Sequence, residues 1–293
     1  MHILSILWYN SNIGLRKQVI TLNTKDTTER RHQEDLQRIA RLRLMDDDFM
    51  SICFDQCNDV VEFVLRIILK NDSFHVIDVK TQYAIPGLNR GVRLDVLATD
   101  RSGKKINIEI QRFDAGAGVK RARFNSAMID KDCLKKGSSP DELPETWVIF
   151  ITERDVRGKG KATYCFDRLD IEDGTPLEDE AHIVYVNGEY RGDDPTGHLM
   201  HDFMCSNPDD MTYQPLADRT RYFKEKKEGQ EVMCREFEKL REETYTETMK
   251  LASNETAKRM LQKKKYSVEE IADITGLSVA EVKQLEKEIL ATV

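Results

Sequence analysis

The 293-residue sequence has no run of about 20 apolar residues, the length that a membrane-spanning helix needs. A short apolar stretch at residues 3–9 lacks both a basic leader and a small-residue cleavage site after it, which argues against a secretory signal. We therefore expect a cytoplasmic protein without membrane contact. Residues 1–27 are interpreted as a loosely packed N-terminal extension, or as the product of a start codon assigned too far upstream.

Zinc-site spacing and glycine-rich phosphate loops are also missing from the sequence. The six cysteines are scattered, and although Cys53 and Cys57 are four residues apart, no second pair of ligands accompanies them. The six histidines show no metal-ligand spacing either. These absences argue against a zinc module and a phosphate-binding loop. Scattered cysteines are instead typical of free thiols in a cytosolic protein.

The chain lacks a net positive charge, because its 45 Lys and Arg residues are outnumbered by 52 Asp and Glu residues, which gives a net charge of -7. The molecule as a whole is therefore no general polyanion binder, and any contact with nucleic acid must come from a local basic patch. Hydrophobic residues make up 40% and charged residues 33% of the chain, which favours a soluble protein with a core and a charged surface over a disordered one.

Hydrophobic periodicity divides most of the chain into helices and strands. It predicts a helix from about residue 29 to 44 and a second core helix through residues 49–69. Alternation predicts strands at 76–79, 82–85, 92–98 and 105–111, the last two forming a hairpin around an Asp/Ser/Gly turn. A basic helix follows to about residue 135, and residues 147–152 and 182–186 are typical of further strands. We expect an α/β fold with a mixed sheet flanked by helices.

The C-terminal part changes to charged, helix-forming sequence. The pattern of residues 216–264 predicts a long solvated helix or a helical pair. The alternative is that this region has a specific role in homo-oligomerisation. Ser267 with Glu270 forms a capping box, and Gly276 separates two short helices, an arrangement similar to a helix-turn-helix. Its second helix is acidic, so structural packing is favoured, and DNA contact stays open. We thus divide the chain into four segments, residues 1–27, 28–200, 201–265 and 266–293.

Two acids and an amide stand on the predicted hairpin. Glu109 and Gln111 project from the same strand face, and Asp95 on the preceding strand can lie across from them. Converging carboxylates form a hard oxygen-ligand site suited to Mg²⁺ or Mn²⁺, with Asp95 and Glu109 as ligands. Such a site can hydrolyse phosphodiesters, because the metal lowers the pKa of bound water and neutralises transition-state charge. Gln111 would orient that water without acting as a base.

A basic cluster follows the acids and is predicted to contact phosphates of DNA: Arg112, Lys120, Arg121 and Arg123. The alternative is that the acids lie on a solvated face of a strand and the basic residues on a solvated face of a helix, without a functional role. Asp95 favours a site, because a lone acid in an apolar strand is costly to bury. Residues 46–48, three consecutive aspartates, are interpreted as a helix boundary rather than a second metal site.

The order of these motifs resembles the PD-(D/E)xK nuclease family transposases and recombination-promoting nucleases. Residues 93–96, 107–111 and 120–124 carry the resemblance, which extends over about 45–186. It implies a restriction-endonuclease-like core and a divalent-metal-dependent DNA endonuclease linked to recombination or mobile elements. Family members commonly have E-x-Q instead of E-x-K, as at Gln111, and the family's opening helix implies Asp48 as an assisting acid. A catalytically silent nucleic-acid-binding or oligomeric regulatory protein of the same fold is the alternative.

Overall fold

The computed structural model describes residues 29–87, 89–112 and 117–291, and the chain forms two compact units. The first unit ends at Met233 and the second begins at Cys234, so the boundary falls inside one long helix. The predicted N-terminal extension, residues 1–27, lies outside the described residues. The domain boundaries drawn from the sequence at residues 28, 201 and 266 stay predictions.

The first unit alternates helices with strands. Helical residues 29–41 (α1) are followed by α2 (Asp47–Phe54) and α3 (Asn58–Leu69). Next come β1 (Val76–Ile85), β2 (Val92–Asp100), β3 (Lys105–Gln111) and α4 (Val119–Cys133). Strands β4 (Thr146–Thr152), β5 (Thr163–Phe166) and β6 (Ala181–Asn187) precede α5 (Pro195–Met204), α6 (Gln214–Glu225) and α7 (Lys227–Lys263).

The six strands form one mixed sheet in the order β1-β2-β3-β4-β6-β5. Neighbours are antiparallel from β1 to β3 and between β5 and β6, whereas β3, β4 and β6 run parallel. The predicted hairpin of β2 and β3 is confirmed, with Val96 opposite Ile108. Strand β5 was not expected from the sequence, because its four residues alternate too briefly to give a signal.

Both faces of the sheet are covered. On one face α4 packs through Ala122 and Ile129 into a cluster with Leu97, Phe150 and Tyr185. Side chains of opposite parity in the same strands are buried as well, and α2 contacts β1, β2 and β3. This burial explains why β3 and β4 read as nearly continuous apolar runs, and it confirms the expected mixed sheet flanked by helices.

The single core helix predicted for residues 49–69 is wrong, because the structure breaks it into α2 and α3. Gln56 has a φ of 50°, in the left-handed region where an α-helix cannot continue. Arg219 of α6 donates hydrogen bonds to the main-chain oxygens of Cys53 and Asp55, which satisfies carbonyls exposed at the end of α2. For the charged residues 216–264, the sequence predicted either one long helix or a helical pair. The structure has the pair, α6 and α7, which are separated at Lys226.

The second unit contains the rest of α7, then α8 (Val268–Thr275) and α9 (Val279–Ala291). The predicted capping box of Ser267 and Glu270 is confirmed, and Gly276 ends α8 with a φ of 70°. A small core joins the three helices through Ala257, Ile271, Leu277, Val282 and Leu285. Across the described residues, no helix combines the length and the apolar character that crossing a bilayer requires.

Candidate active site

Asp95 and Glu109 lie opposite each other on the sheet face that α4 covers. The register of β2 and β3 brings them together, since Val96 pairs with Ile108 and the next positions outward are these two acids. The Asp95 main-chain nitrogen lies 3.4 Å from Glu109 Oε1, and the Ile110 main-chain N–H donates to Asp95 Oδ2 at 3.0 Å. The two carboxyl groups thus share one face, as the sequence predicted.

Glu109 is fully buried and is held by polar contacts at both carboxylate oxygens. Asn107 Nδ2 donates to Oε1 at 3.0 Å, and Arg121 Nη2 lies 2.6 Å from Oε2. Arg121 also places Nη1 at 3.4 Å from Gln111 Oε1. The arginine therefore joins α4 to both polar residues at the end of β3.

Two asparagines behind the acids were missed by the sequence analysis. Asn125 of α4 donates from Nδ2 to Asn107 Oδ1 at 3.2 Å, and Asn107 in turn donates to Glu109. Both asparagines are fully buried. The spacing of these residues in the sequence could have indicated their place beside the acids. Asn107 shares the strand face of Glu109, and Asn125 follows Arg121 by one helical turn.

Burial makes both acids reluctant to ionise, and repulsion by Glu109 adds to this effect at Asp95. Burial raises the pKa of Asp95 to about 7, with the nearby Glu109 charge as the second cause and the Ile110 N–H opposing it. Burial also raises the pKa of Glu109, against the lowering effect of the Asn107 hydrogen bond and the Arg121 charge. Even with Arg121 in place, the pair is short of positive charge, which a bound cation would supply.

A cavity of about 630 Å³ opens beside the acids. Its lining consists of charged and polar residues with one aliphatic side chain: Asp47, Arg93, Asp95, Ile110, Gln111, Arg112 and Arg121. Glu109 lies behind this wall, in contact with the Arg121 that forms part of it.

The three aspartates at the start of α2, residues 46–48, lie in different environments. Asp46 occupies the N-cap position of α2, which confirms the helix-boundary interpretation. Asp47 lines the cavity and contributes to the raised pKa of Asp95, whereas the predicted assisting acid, Asp48, is the next residue along and does not line it. Burial raises the pKa of Asp48, with Asp47 as the second cause. The sequence alone could not choose between adjacent acids, because their helix start has no fixed rotation until it packs.

The predicted basic residues separate into three environments. Arg121 reaches the acids, whereas Lys120 and Arg123 are exposed on the outer side of α4. Arg112 lines the cavity and is tied to two other acids, with Nη1 at 3.0 Å from Asp46 Oδ1 and Nε at 3.8 Å from Glu153 Oε2. Arg121 is therefore the residue of the basic cluster that contacts the predicted metal ligands.

The donor chemistry of the site fits a hard divalent cation. Among the residues that the structure describes, no three or more Asp, Glu, His or Cys side chains form a ready metal cluster. Mg²⁺ needs only one or two protein carboxylates, because it keeps several water molecules and binds substrate phosphates with its remaining positions. Asp95 and Glu109 supply two such oxygen donors, and burial, the main cause of their raised pKa values, is a cost that a bound cation would offset.

Residues 62–189 match the family model described as PD-(D/E)XK nuclease family transposase. The matched segment contains Asp95, Glu109, Gln111 and Arg121, and it begins after Asp47 and Asp48. No match was found among the curated proteins or among the solved structures. The family match confirms the resemblance noted in the sequence, and with the mixed sheet it confirms a restriction-endonuclease-like α/β fold. A function related to nucleases or transposases follows from it.

Proposed function

Since residues 62–189 match a PD-(D/E)XK nuclease family, we propose that this chain cleaves phosphodiester bonds within DNA with the help of Mg²⁺ or Mn²⁺. One observation carries the proposal: Asp95 and Glu109 meet on one sheet face, beside a cavity that arginines also line. Nucleases of this family generally use divalent metals. A role in recombination or mobile-element movement rests on the family description alone.

The residues of the site would share the work of holding the cation and the substrate. Asp95 and Glu109 would hold the metal, which when bound polarises a phosphate oxygen and lowers the pKa of a water molecule. Asn107 and the Ile110 N–H keep the two carboxylates oriented. Gln111 lines the cavity, where its uncharged amide can orient the attacking water by hydrogen bonds.

The charge of the cavity lining supports an anionic substrate. Three arginines and two aspartates line it, although the whole chain carries a net charge of -7. Arginine guanidinium groups bind phosphate oxygens with paired hydrogen bonds. Arg121 is best placed for this contact, because it lies in the wall of the cavity and already touches Glu109.

Plasmid cleavage tests the proposal. Wild-type protein with Mg²⁺ or Mn²⁺ should convert supercoiled plasmid to nicked or linear forms, and chelation with EDTA should stop the reaction. Asp95→Asn and Glu109→Gln should each reduce the rate by about a hundredfold or more, because loss of an outer-shell partner alone costs about 10–100-fold. Asp59→Asn, an exposed acid of α3, is the matched control and should cleave like wild type. Equal rates in wild type and both site variants would refute the proposal.

A nucleic-acid-binding protein without catalysis is the second candidate. The Arg121–Glu109 ion pair favours it, because an internal cation already balances the buried acid. Under this candidate, wild-type protein would shift DNA in a gel, yet neither Mg²⁺ nor Mn²⁺ would produce nicked plasmid.

A further inference from the structure

A second, arginine-rich cavity of about 390 Å³ lies where β3, β4 and β6 end. We call it the arginine cavity, and its charged lining consists of Arg112, Glu153, Arg154, Glu189 and Arg191. These residues directly follow the three parallel strands, whose carboxyl ends meet at one edge of the sheet. Arg112 lines this cavity as well as the one beside Asp95, so the two cavities are neighbours.

Two of the arginines present positive charge that no carboxylate offsets in the described residues. Arg154 is exposed, and its side chain makes no ion pair or hydrogen bond with a described residue. Arg191 donates from Nη1 to the main-chain oxygens of Gly188 and Tyr190, at 2.6 and 2.8 Å. Carbonyl contacts fix the guanidinium in place without neutralising it, which leaves its charge for a ligand.

The two glutamates of the arginine cavity already have partners. Glu153 Oε1 lies 3.0 Å from Arg43 Nη2, outside the cavity lining. Glu189 Oε2 accepts the main-chain N–H of Asp155 at 3.1 Å, where it fixes the start of the loop after β4. Arg43 is also paired with Asp46, so these two charges offset each other. The lining itself has three arginines and two glutamates, a small excess of positive charge of the kind that an anion-binding site requires.

The loop between β4 and β5 extends this positive surface and is held in one conformation. Asp155 accepts hydrogen bonds from the main-chain N–H groups of residues 157, 158 and 160 and from the hydroxyl of Tyr164. Burial raises the pKa of Asp155, but these hydrogen bonds together outweigh it and lower the pKa. Gly158 and Gly160 adopt φ values of 63° and 67°, which few other residues tolerate. Within residues 154–161 this fixed loop presents four cationic side chains: Arg154, Arg157, Lys159 and Lys161.

We infer that the arginine cavity binds a backbone phosphate of the nucleic-acid strand whose scissile phosphate lies beside Asp95. Arg154 and Arg191 would contact this neighbouring phosphate, and the loop after β4 would guide the strand onward. The preferred substrate is accordingly a polynucleotide that extends past the cleavage site, whereas a small phosphate ester would react at Asp95 without contacting the arginine cavity. This inference rests on the proposed function and specifies its substrate class.

Salt-dependent binding tests the strand contact without any cleavage. Fluorescence anisotropy in EDTA would measure the Kd of a labelled 20-base-pair duplex at several NaCl concentrations. Arg154→Gln should weaken binding about three- to tenfold and reduce the slope of log K against log [NaCl] by about 0.9, the value for one lost phosphate contact. Arg154→Lys should restore most of the slope, because it restores the charge.

Lys136→Ala is the matched control for this experiment. Lys136 is exposed beyond the far end of the 15-residue helix α4, roughly 20 Å from Arg121 at its start. Its removal should leave the slope at the wild-type value. A slope for Arg154→Gln equal to that of Lys136→Ala would overturn the inference, whatever the cleavage results.

A small diester separates the inference from the proposed function. Bis(p-nitrophenyl) phosphate has no second phosphate, so Arg154→Gln should hydrolyse it with Mn²⁺ at the wild-type rate, whereas Asp95→Asn should not. A parallel loss in both variants would contradict a contact with a distant phosphate. If the wild type cleaves neither plasmid nor this diester, the proposed function fails, and the salt slopes still decide whether the cavity binds a nucleic-acid strand.

Discussion

Arg121 Nη2 lies 2.6 Å from Glu109 Oε2, so the buried acid of β3 already has a cationic partner from α4. Hydrogen bonds between charged groups of this kind are short and strong. Glu109 is fully buried, whereas the Arg121 side chain is 39% exposed. A cation from solvent would therefore compete with this guanidinium for the same carboxylate oxygen.

Replacing Arg121 should separate metal binding from cleavage. Arg121→Gln removes the competing charge, and we expect Mn²⁺ to bind about tenfold more tightly at pH 8, a change of about 1.4 kcal/mol. Plasmid cleavage should nevertheless fall, because the proposed phosphate contact of Arg121 is lost with the guanidinium. Isothermal titration calorimetry measures the affinity, and Arg123→Gln on the exposed side of α4 is the control. Weaker Mn²⁺ binding in Arg121→Gln would contradict the competition.

Asp95 should make the metal-free protein less stable as the pH rises. The pKa of Asp95 is about 7 in the folded protein and near 3.8 without its surroundings, so between these values the folded state binds more protons. The free energy of unfolding therefore decreases from about pH 4 to pH 7. Asp95→Asn removes this loss and should stabilise the protein by roughly 1–3 kcal/mol at pH 8, and by less at pH 5. Urea unfolding in EDTA at both pH values measures the difference.

The control for this titration is Asp59→Asn, whose effect on stability should be small at both pH values because the acid is exposed. A stabilisation by Asp95→Asn that is equal at pH 5 and pH 8 would show that the carboxyl group does not titrate in this range.

Asn107 should act through the position of Glu109. Asn107→Leu removes the donor to Glu109 Oε1 and the acceptor for Asn125, so we expect a loss of about 1–3 kcal/mol in unfolding free energy. Cleavage should fall about 10–100-fold, with a higher Mg²⁺ concentration needed for half-maximal rate. Lys105→Gln, on the same face of β3, is the control. An unchanged Mg²⁺ dependence in Asn107→Leu would limit this residue to a structural role.

The second unit should mediate homo-oligomerisation, as the charged helical sequence suggested. Tyr245 and Met249 stand one turn apart on α7, with 67% and 51% of their surfaces exposed. We expect wild-type protein to assemble and the double variant Tyr245→Glu, Met249→Glu to dissociate in size-exclusion chromatography with light scattering. Glu242→Gln, exposed on the same helix, should assemble like wild type. A monomeric wild type would refute this prediction.

Local patterns were enough to predict the hairpin and the shared face of its acids. Strand parity places Glu109 and Gln111 together, and an Asp/Ser/Gly turn fixes the register that brings Asp95 across from them. Both rules act over a few residues of sequence. The family match covers the same segment, residues 62–189.

The features that the sequence did not predict depend on distant partners. The break between α2 and α3 is capped by Arg219, more than 160 residues away in the chain. Asn107 gains its role from Asn125 on another element, and β5 exists only as a partner of β6. The choice of Asp47 over Asp48 beside the cavity depends on how α2 packs. Each of these outcomes is fixed by tertiary contacts, which a single sequence does not display.

Arg112 belongs to the walls of both cavities, and this position has a genetic consequence. Selection for mutants that bind DNA but cannot cut it should yield changes at Asp95. Selection for mutants that keep the catalytic site but bind DNA weakly should yield changes at Arg154. Neither selection should recover Arg112, because one substitution there would weaken substrate retention and turnover together.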